Sequence, residues 1–264
     1  MHLDICWRNS LDNKRALIGW GLGLVALTLL TMAFWPTIKA SPQFNKLLRQ
    51  LPDALKVLVG DQPLTTPEGY LQKQLFLYLV PLLFMIYGIG RGADAIAGEE
   101  ERNTMDLLLS APVSRRRVVL EKYTAIVFGI GVLAVLLLVS LYLSAAVFNM
   151  DIGLDKLAAA TSGSAFLSLA FAAVALAASS ATGRKGIALG IAAVLATATF
   201  FLNSLAPLAK GLKSYQKFSP WHWYLEHSPL NNGFDVGGLA LLVLMIVVML
   251  AIAVVGFERR DVGG

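Results

Sequence analysis

The stretch YTAIVFGIGVLAVLLLVSLYLSAAV, residues 123–147, contains no Asp, Glu, Lys, Arg or His. The hydrocarbon core of a bilayer is about 30 Å thick, and a helix that crosses it needs roughly 20 apolar residues. This stretch is therefore predicted to be a membrane-spanning helix. Outward from it lie five further charge-free windows of spanning length, at residues 16–35, 74–90, 157–180, 186–209 and 236–257.

The composition agrees with a membrane protein. Of 264 residues, 56% are hydrophobic and 15% are charged, whereas an ordinary soluble domain has about 25% charged residues. The sequence thus predicts an all-α integral membrane protein, with residues 1–264 forming a single six-span domain. The apolar run at 16–35 exceeds the roughly 7–15 residues of a signal-peptide core, so we expect a retained span. The single cysteine, Cys6, excludes an intrachain disulfide.

The distribution of basic residues predicts the orientation. With the N-terminus inside, the inner segments hold 13 of the 22 Lys and Arg residues and every arginine except Arg49. Positive residues favour the cytoplasmic side, so both termini are predicted to be cytoplasmic. The net charge of +5 then follows from topology, and it implies no nucleic-acid partner. The inner segments are 1–15, 91–122, 181–185 and 258–264.

The segments outside the spans also carry patterns. Residues 1–15 fit a short interfacial helix, with a disordered tail as the alternative. The extracytoplasmic loop 36–74 has an apolar stripe over residues 44–58, which predicts one or two amphipathic helices. Thr66-Pro67-Glu68 has the features of a helix start: a cap, a proline and an acid in the first turn.

Several features predict how the spans pack. Pro81 is expected to kink the second span, as a hinge or as a static bend. Small-residue pairs predict close approach of helix backbones. In the outer loop 210–235, the run PWHWY at residues 220–224 is typical of an aromatic belt at the membrane interface. The small-residue sites are Gly19, Gly21, Gly23, Gly88, Gly92, Gly186 and Gly190.

Some function classes fit poorly. All six windows lack ionisable residues, which disfavours an ion-coupled carrier, although backbone carbonyls can bind Na⁺. A P-loop requires a Gly-Lys pair, which occurs nowhere in the chain. His222 and His227 lie across the membrane from Glu99–Arg102, so an intramembrane protease site is not expected. An outer metal site of His222, Glu226 and His227 is also disfavoured.

One polar interruption separates the second and third spans, GEEERNTMDLLLSAPVSRRR at residues 98–117. Asn103 is a candidate cap for a short leucine-rich helix, Pro112 ends that helix, and Ser114 caps the next. Taken alone, the charges are better explained by simpler roles: Arg115–Arg117 anchor the topology, and Glu99–Glu101 keep a loop solvated. An apolar helix flanked by charge is, however, typical of a docking element for a soluble partner.

This interruption resembles the cytoplasmic loop of ABC type-2 transporter permeases. The family pattern is E-x-G-T-L-x-x-L-L-x-x-P-[VL]-S-R, followed by a lysine at the next span. Asn103 replaces the usual glycine and Met105 the usual leucine. The segment 218–233 is similar to the family's outer segment, and FERRDV at 257–262 is similar to its usual ending. The matching positions are Glu101, Thr104, Leu107, Leu108, Pro112, Val113, Ser114, Arg115 and Lys122.

The resemblance implies a non-catalytic permease subunit, acting as an exporter, that pairs with a second copy or a related chain in the bacterial or archaeal inner membrane. Separate ATP-binding subunits would hold ATP and Mg²⁺, so no cofactor is expected on this chain. The expected partners are that ATPase, the second permease and membrane lipid. Transmission of force to another membrane protein is an alternative use of the same architecture, and an ion-coupled secondary transporter is a further one.

The resemblance also assigns residues. The cytoplasmic helix after the second span would couple the permease to the ATPase, and a translocation path would run along the second and fifth spans. The coupling candidates are Glu99, Glu100, Glu101, Arg102, Thr104, Leu107, Leu108, Pro112, Ser114 and Arg115, with Arg184 and Lys185 in the next inner loop. The weaker path candidates are Thr197, Thr199, Asn203 and Ser204.

Overall fold

The computed structural model describes residues 14–41, 43, 50, 63–105, 113–208, 211 and 213–260. The predicted interfacial helix before residue 14 and the apolar stripe at 44–58 lie outside the described residues, apart from residue 50. The described part of the chain is built from helices, and no strand occurs in it.

Within the described residues, six helical segments are long and apolar enough to cross a membrane, which confirms the predicted number and order of spans. Each observed segment extends beyond its charge-free window at one end at least, because the helices continue into polar residues there, although the fifth ends at Leu208, within its window. The segments are Lys14–Lys39, Pro67–Asp94, Arg115–Val147, Leu154–Thr182, Lys185–Leu208 and Val236–Arg259. They are numbered here as the first to the sixth span.

Shorter elements complete the fold. The first span divides into helices Lys14–Ala33 and Trp35–Lys39, and a helix Ala97–Glu101 follows the second span. The fifth span comprises helix Lys185–Leu205 and a 3₁₀ turn, Ala206–Leu208. A second 3₁₀ segment, Lys213–Phe218, leads to two short helices, Pro220–Leu225 and Pro229–Asn232, before the sixth span.

The fourth span lies at the centre of the bundle. It packs against the second, third, fifth and sixth spans, whereas the first span packs mainly against the third. Small side chains allow this central position. At Gly88 and Gly92 of the second span, an added Cβ would meet Ser168 and Ala172 of the fourth span. The predicted close approach is confirmed there, while Gly19, Gly23, Gly186 and Gly190 have no such neighbour among the described residues.

The second span is irregular, as its proline predicts. Thr66 caps its start by accepting a hydrogen bond from the Gly69 backbone N–H at 3.2 Å, which confirms the predicted helix start. Helix Pro67–Leu71 continues as a π-helix over Gln72–Phe76, and a regular helix resumes at Leu79–Asp94. The break falls at Tyr78, just before Pro81. Proline lacks an N–H, and its ring clashes with the carbonyl four residues earlier, so the preceding turn cannot stay α-helical.

The helix Pro220–Leu225 carries the run that was predicted to form an aromatic belt. Trp221 and Tyr224 are buried within the bundle, whereas Trp223 is half-buried. The Trp221 indole N–H donates to the Ala196 carbonyl at 3.2 Å, and the Tyr224 hydroxyl donates to the Phe76 carbonyl at 2.8 Å. Phe76 belongs to the π-helical segment, so Tyr224 supplies a hydrogen bond where the second span is irregular.

Candidate functional site

The polar segment between the second and third spans begins with the short helix Ala97–Glu101, called here the bracing helix. Glu99 and Glu100 lie in its first turn, where negative charge stabilises the helix dipole. Asn103 has φ 55°, a left-handed conformation, and follows the end of this helix. Asn103 therefore ends the bracing helix, and the leucine-rich helix that it was predicted to cap lies outside the described residues. Residues 106–112, including Leu107, Leu108 and Pro112, lie outside the described residues.

The fourth span anchors the bracing helix through one serine. The Ser179 hydroxyl accepts a hydrogen bond from the Ala97 backbone N–H and donates one to the Ala93 carbonyl, both at 2.9 Å. Ser179 is fully buried. Buried backbone groups require such partners, so Ser179 fixes the turn between the second span and the bracing helix.

The three consecutive acids reach three different spans. Glu99 forms an ion pair with Lys122 of the third span at 2.5 Å. Glu100 forms an ion pair with Arg260 at the end of the sixth span. Glu101 accepts a hydrogen bond from the backbone N–H of Lys185, the first residue of the fifth span, at 3.1 Å. The bracing helix thus joins the ends of the third, fifth and sixth spans, while Ser179 joins it to the fourth.

Asp94 adds a second link. Its carboxylate lies 2.7 Å from the Lys185 ammonium and 3.3 Å from the Arg102 guanidinium. Arg102 is half exposed, with 52% of its side chain accessible. We call the end of the bundle formed by Asp94, Lys122, Lys185 and Arg260 the charged end.

Two arginines cap helices at the charged end. Arg115 donates to the carbonyls of Phe257 and Arg260 and lies over the Phe257 ring at 5.4 Å. Arg260 donates to the Ser180 carbonyl at 3.1 Å. The last carbonyls of a helix have no partner within it, so these guanidinium groups satisfy the ends of the sixth and fourth spans.

The pair of Glu99 and Lys122 is the most enclosed of these contacts. The Lys122 side chain is 4% exposed and that of Glu99 is 17% exposed. Burial raises the pKa of Glu99, but hydrogen bonds from Lys122 and from the Thr104 hydroxyl, with the charge of Arg102, bring it below its ordinary value. Glu99 is therefore a carboxylate at neutral pH.

The remaining coupling candidates lie around this cluster. Ser114 caps the third span by accepting a hydrogen bond from the Arg117 backbone N–H at 3.3 Å, as predicted. Arg184 is exposed next to Lys185. The sequence analysis named the charged residues 99–102 as candidates for coupling to an ATPase. In the structure, their side chains make contacts within the chain.

The path candidates occupy different environments. Thr197 is exposed on the fifth span, and Ser204 is half-buried. The Thr199 hydroxyl donates to the Leu195 carbonyl of its own helix at 2.7 Å. Asn203 accepts hydrogen bonds from the Gln216 side-chain amide, at 3.1 Å to its carbonyl and 3.2 Å to its side-chain oxygen. Asn203 thus links the 3₁₀ segment Lys213–Phe218 to the fifth span.

Two of the residues considered for a metal site, His222 and Glu226, are in contact. His222 lies 3.2 Å from Glu226. Across the part of the chain that the structure describes, no three His, Cys, Asp or Glu residues are grouped so that they could hold a metal ion.

Sequence reasoning did not single out Asp94 or Ser179, it placed Tyr224 only within an expected aromatic belt, and Arg260 was noted only within a resemblance. Asp94 lies at the end of the second span and Arg260 directly after the sixth. A charged residue at such a position indicates a contact with the end of another helix. Ser179 and Tyr224 carry no local signal, because their roles depend on residues more than 80 positions away.

The comparison with protein families agrees with this arrangement. A model described as ABC-2 family transporter protein matches residues 4–262, nearly the whole chain. The chain belongs to the ABC-2 transporter family. No curated protein matches it. As an ABC-2 type permease with six apolar spans, it is a multi-pass membrane subunit of a transporter, and its family implies association with an ATP-binding subunit.

Proposed function

We propose that this ABC-2 permease pairs with a second permease, identical or related, to form the path of an ATP-driven exporter. The charged end faces the cytoplasm of a bacterium or archaeon, in the inner membrane, and separate ATP-binding subunits dock on it. ATP and Mg²⁺ bind to those subunits, and this chain performs no catalysis.

The observation that carries this proposal is the set of contacts made by the bracing helix. Its residues are tied to the third, fourth, fifth and sixth spans, and it continues directly from the second. A displacement applied just after Glu101 would therefore act on the ends of five spans together. Such an element suits the transmission of an ATPase cycle into the membrane.

The docking surface in this proposal follows the bracing helix. Leu107 and Leu108 supply its buried apolar area, while the acids before them hold the segment on the bundle. Arg102 and Arg184 are exposed beside it and offer further contacts to an ATPase. Lys185, which pairs with Asp94, positions that second loop instead of contacting the partner.

The translocation path is proposed along the second and fifth spans. Thr197 is the best-placed polar contact for a substrate, because it faces out of this chain and can face a second permease. Asn203 accepts a hydrogen bond from the Gln216 side-chain amide, and the Thr199 hydroxyl donates one within its own helix. These hydrogen bonds favour structural roles for both residues.

The test begins with a mild-detergent pull-down of the full chain, with mass spectrometry and an ATPase assay on the eluate. We expect an ATP-binding subunit in about a one-to-one ratio. Replacing Leu107→Asp together with Leu108→Asp is expected to abolish copurification. Leu208→Asp, at an exposed leucine of the outer end, serves as the control and is expected to retain it.

Each other result has a defined meaning. Intact copurification and transport in the double variant would reject the docking segment. Repeated recovery of this chain without an ATPase would reject the ATP-driven mechanism. Flux into vesicles separates export from transmission of force, since only export requires ATP-dependent movement of a substrate.

A further inference from the structure

The break at Tyr78 divides the second span into two parts. The outer part, residues 67–76, ends in the π-helix, and the inner part, Leu79–Asp94, is a regular helix. In a continuous α-helix the Leu77 carbonyl would accept a hydrogen bond from residue 81, but Pro81 has no N–H. Tyr78 itself has non-helical backbone angles, φ −151° and ψ −34°. The ladder of helical hydrogen bonds is therefore interrupted between the two parts.

The residues at the break are not enclosed by packing. Leu77 and Leu79 are half-buried, and Tyr78 is 48% exposed. Close-packed side chains on all sides would resist a change of shape. A change of the backbone angles at residues 77–78 would therefore disturb few packed side chains.

The inner part is held firmly against the fourth span. The Ser168 hydroxyl donates to the Phe84 carbonyl at 2.6 Å. At Gly92 an added Cβ would overlap the carbonyl oxygen of Ala172. Helix backbones that approach so closely leave no space for one to tilt on the other. The inner part and the fourth span therefore form one rigid unit.

The outer part has other neighbours. The Tyr70 hydroxyl donates to the Thr31 carbonyl of the first span at 2.6 Å, and the Tyr70 ring lies 5.3 Å from the Trp35 ring. At the start of the fourth span, the Lys156 ammonium lies 3.0 Å from the Glu68 carboxylate. A partly exposed ion pair of this kind holds two helices together only weakly. This pair alone would not prevent the outer part from separating from the fourth span.

Tyr224 connects the end of the outer part to the fourth span. Its hydroxyl donates to the Phe76 carbonyl at 2.8 Å and accepts from the Ser164 hydroxyl at 2.9 Å. Tyr224 is buried, and at Gly163 of the fourth span an added Cβ would meet its ring. One hydroxyl group thus fixes the outer part at the point where its own helical hydrogen bonds stop.

We propose that residues 77–78 are a hinge and that Tyr224 keeps it closed, a role that rests on the proposed transport function. While Tyr224 is bonded to Phe76, the outer part lies against the fourth span and the outer end of the path is shut. When this bond breaks, the outer part tilts away from the fourth span and the outer end opens. Hinges are short segments that absorb changes of backbone angle between rigid parts, and the break has this form.

The first experiment uses the purified full chain and requires no partner. In a Cys6→Ser background, nitroxide labels at Gln74→Cys and Val247→Cys report the outer part against the sixth span, and labels at Ile86→Cys and Val247→Cys report the inner part. All three labelled sites are exposed. Double electron–electron resonance measures both distance distributions. Tyr224→Phe is expected to raise the population of the open form about tenfold, the effect of losing one hydrogen bond, and to broaden the outer-pair distribution only.

Two further variants complete this experiment. Pro81→Ala supplies the missing N–H and should narrow the outer-pair distribution, whereas Tyr215→Phe alters an exposed tyrosine and should change neither pair. An unchanged outer pair in Tyr224→Phe would overturn the proposal. Equal broadening of both pairs would also overturn it, since that result indicates general loosening. If Tyr224→Phe does not fold, an unchanged outer pair in Pro81→Ala overturns the hinge.

The second experiment examines the hinge during the transport cycle. The same labelled pairs are measured in the complex with the ATP-binding subunit, first without nucleotide and then after trapping with ATP and vanadate. The outer-pair distance is expected to differ between the two states, and the inner-pair distance to stay constant. Equal outer-pair distances in a complex that transports would reject the hinge. Failure to recover an ATPase would instead reject the proposed function, and the first experiment would then decide on the hinge.

Discussion

At the residue scale, the contact between Glu99 and Lys122 shows how a charged pair persists near the membrane. Lys122 is almost fully buried, and its ammonium lies 2.5 Å from the Glu99 carboxylate. Removing one partner of such a pair leaves a buried charge without compensation, which typically costs about 3–5 kcal/mol. The pair therefore fixes the position of the bracing helix more firmly than an exposed pair would.

Glu99→Gln is expected to destabilise the protein by about 3 kcal/mol, because Lys122 would remain buried without its counter-charge. Thermal unfolding in detergent measures the change. Replacing both partners, Glu99→Leu with Lys122→Met, should recover much of the loss. Glu101→Gln, at the exposed acid of the same helix, is the control. An equal loss in Glu99→Gln and Glu101→Gln would contradict the prediction.

Acidification is expected to weaken the charged end. The folded-state pKa of Glu99 lies below its unfolded value of about 4.3, so the unfolded state binds more protons as the pH falls. The stabilisation is complete above the unfolded pKa and is lost as the pH falls through the folded pKa. Unfolding measured from pH 7 to pH 3 should show this loss, and Glu99→Gln should reduce the slope. An identical slope in the variant would contradict it.

At the element scale, the short helices between the spans connect spans to one another at the two ends of the bundle. The bracing helix joins span ends at the charged end, and helix Pro220–Leu225 inserts Trp221 and Tyr224 among the spans at the opposite end. Tyr224 donates to the Phe76 carbonyl and accepts from the Ser164 hydroxyl at 2.9 Å. It therefore connects the irregular second span to the central fourth span.

Tyr224→Phe is expected to destabilise the outer half by about 1–3 kcal/mol, because the buried Phe76 carbonyl would lose its donor. Hydrogen exchange should accelerate in the segment around Gln72–Phe76, and the thermal midpoint should fall. Tyr215→Phe alters an exposed tyrosine and is expected to be neutral. Unchanged exchange near Phe76 in Tyr224→Phe would show that the hydroxyl bond does not support the second span.

At the scale of the whole molecule, a movement of the bracing helix at the charged end would act on the ends of five spans. In the proposed transporter, Arg260 has a coupling role, since it joins Glu100 to the carbonyls that end the fourth span. The leucines before Pro112 would bind the ATPase, and Arg260 would transmit the movement of the ATPase to the fourth span. Binding and coupling can therefore be separated by mutation.

Arg260→Gln is expected to retain the ATP-binding subunit while lowering transport per ATP hydrolysed by about fivefold or more, the usual range of coupling between sites. Flux and ATPase activity in proteoliposomes measure the ratio. Arg259→Gln, the exposed neighbour, is the control and should leave it unchanged. Loss of copurification in Arg260→Gln would instead place this arginine in the docking surface.

The sequence by itself determined the six spans, their order, the caps at Thr66 and Ser114 and the irregularity near Pro81. Each of these depends on local properties: the length of an apolar run relative to a bilayer, or a side chain bonding to backbone within one turn. The family resemblance of residues 98–117 was also readable locally, and the family match over residues 4–262 confirms it.

Only the tertiary structure decided which partners the charged residues take. Glu100 pairs with a residue 160 positions away, and Tyr224 bonds to one 148 positions away. Such pairs depend on which helices are neighbours, and that is set by small-residue contacts such as Gly92 against Ala172. The aromatic run at 220–224 was predicted to lie at the interface because aromatic residues favour it; its Trp221 and Tyr224 are instead buried and donate to the backbone carbonyls of Ala196 and Phe76.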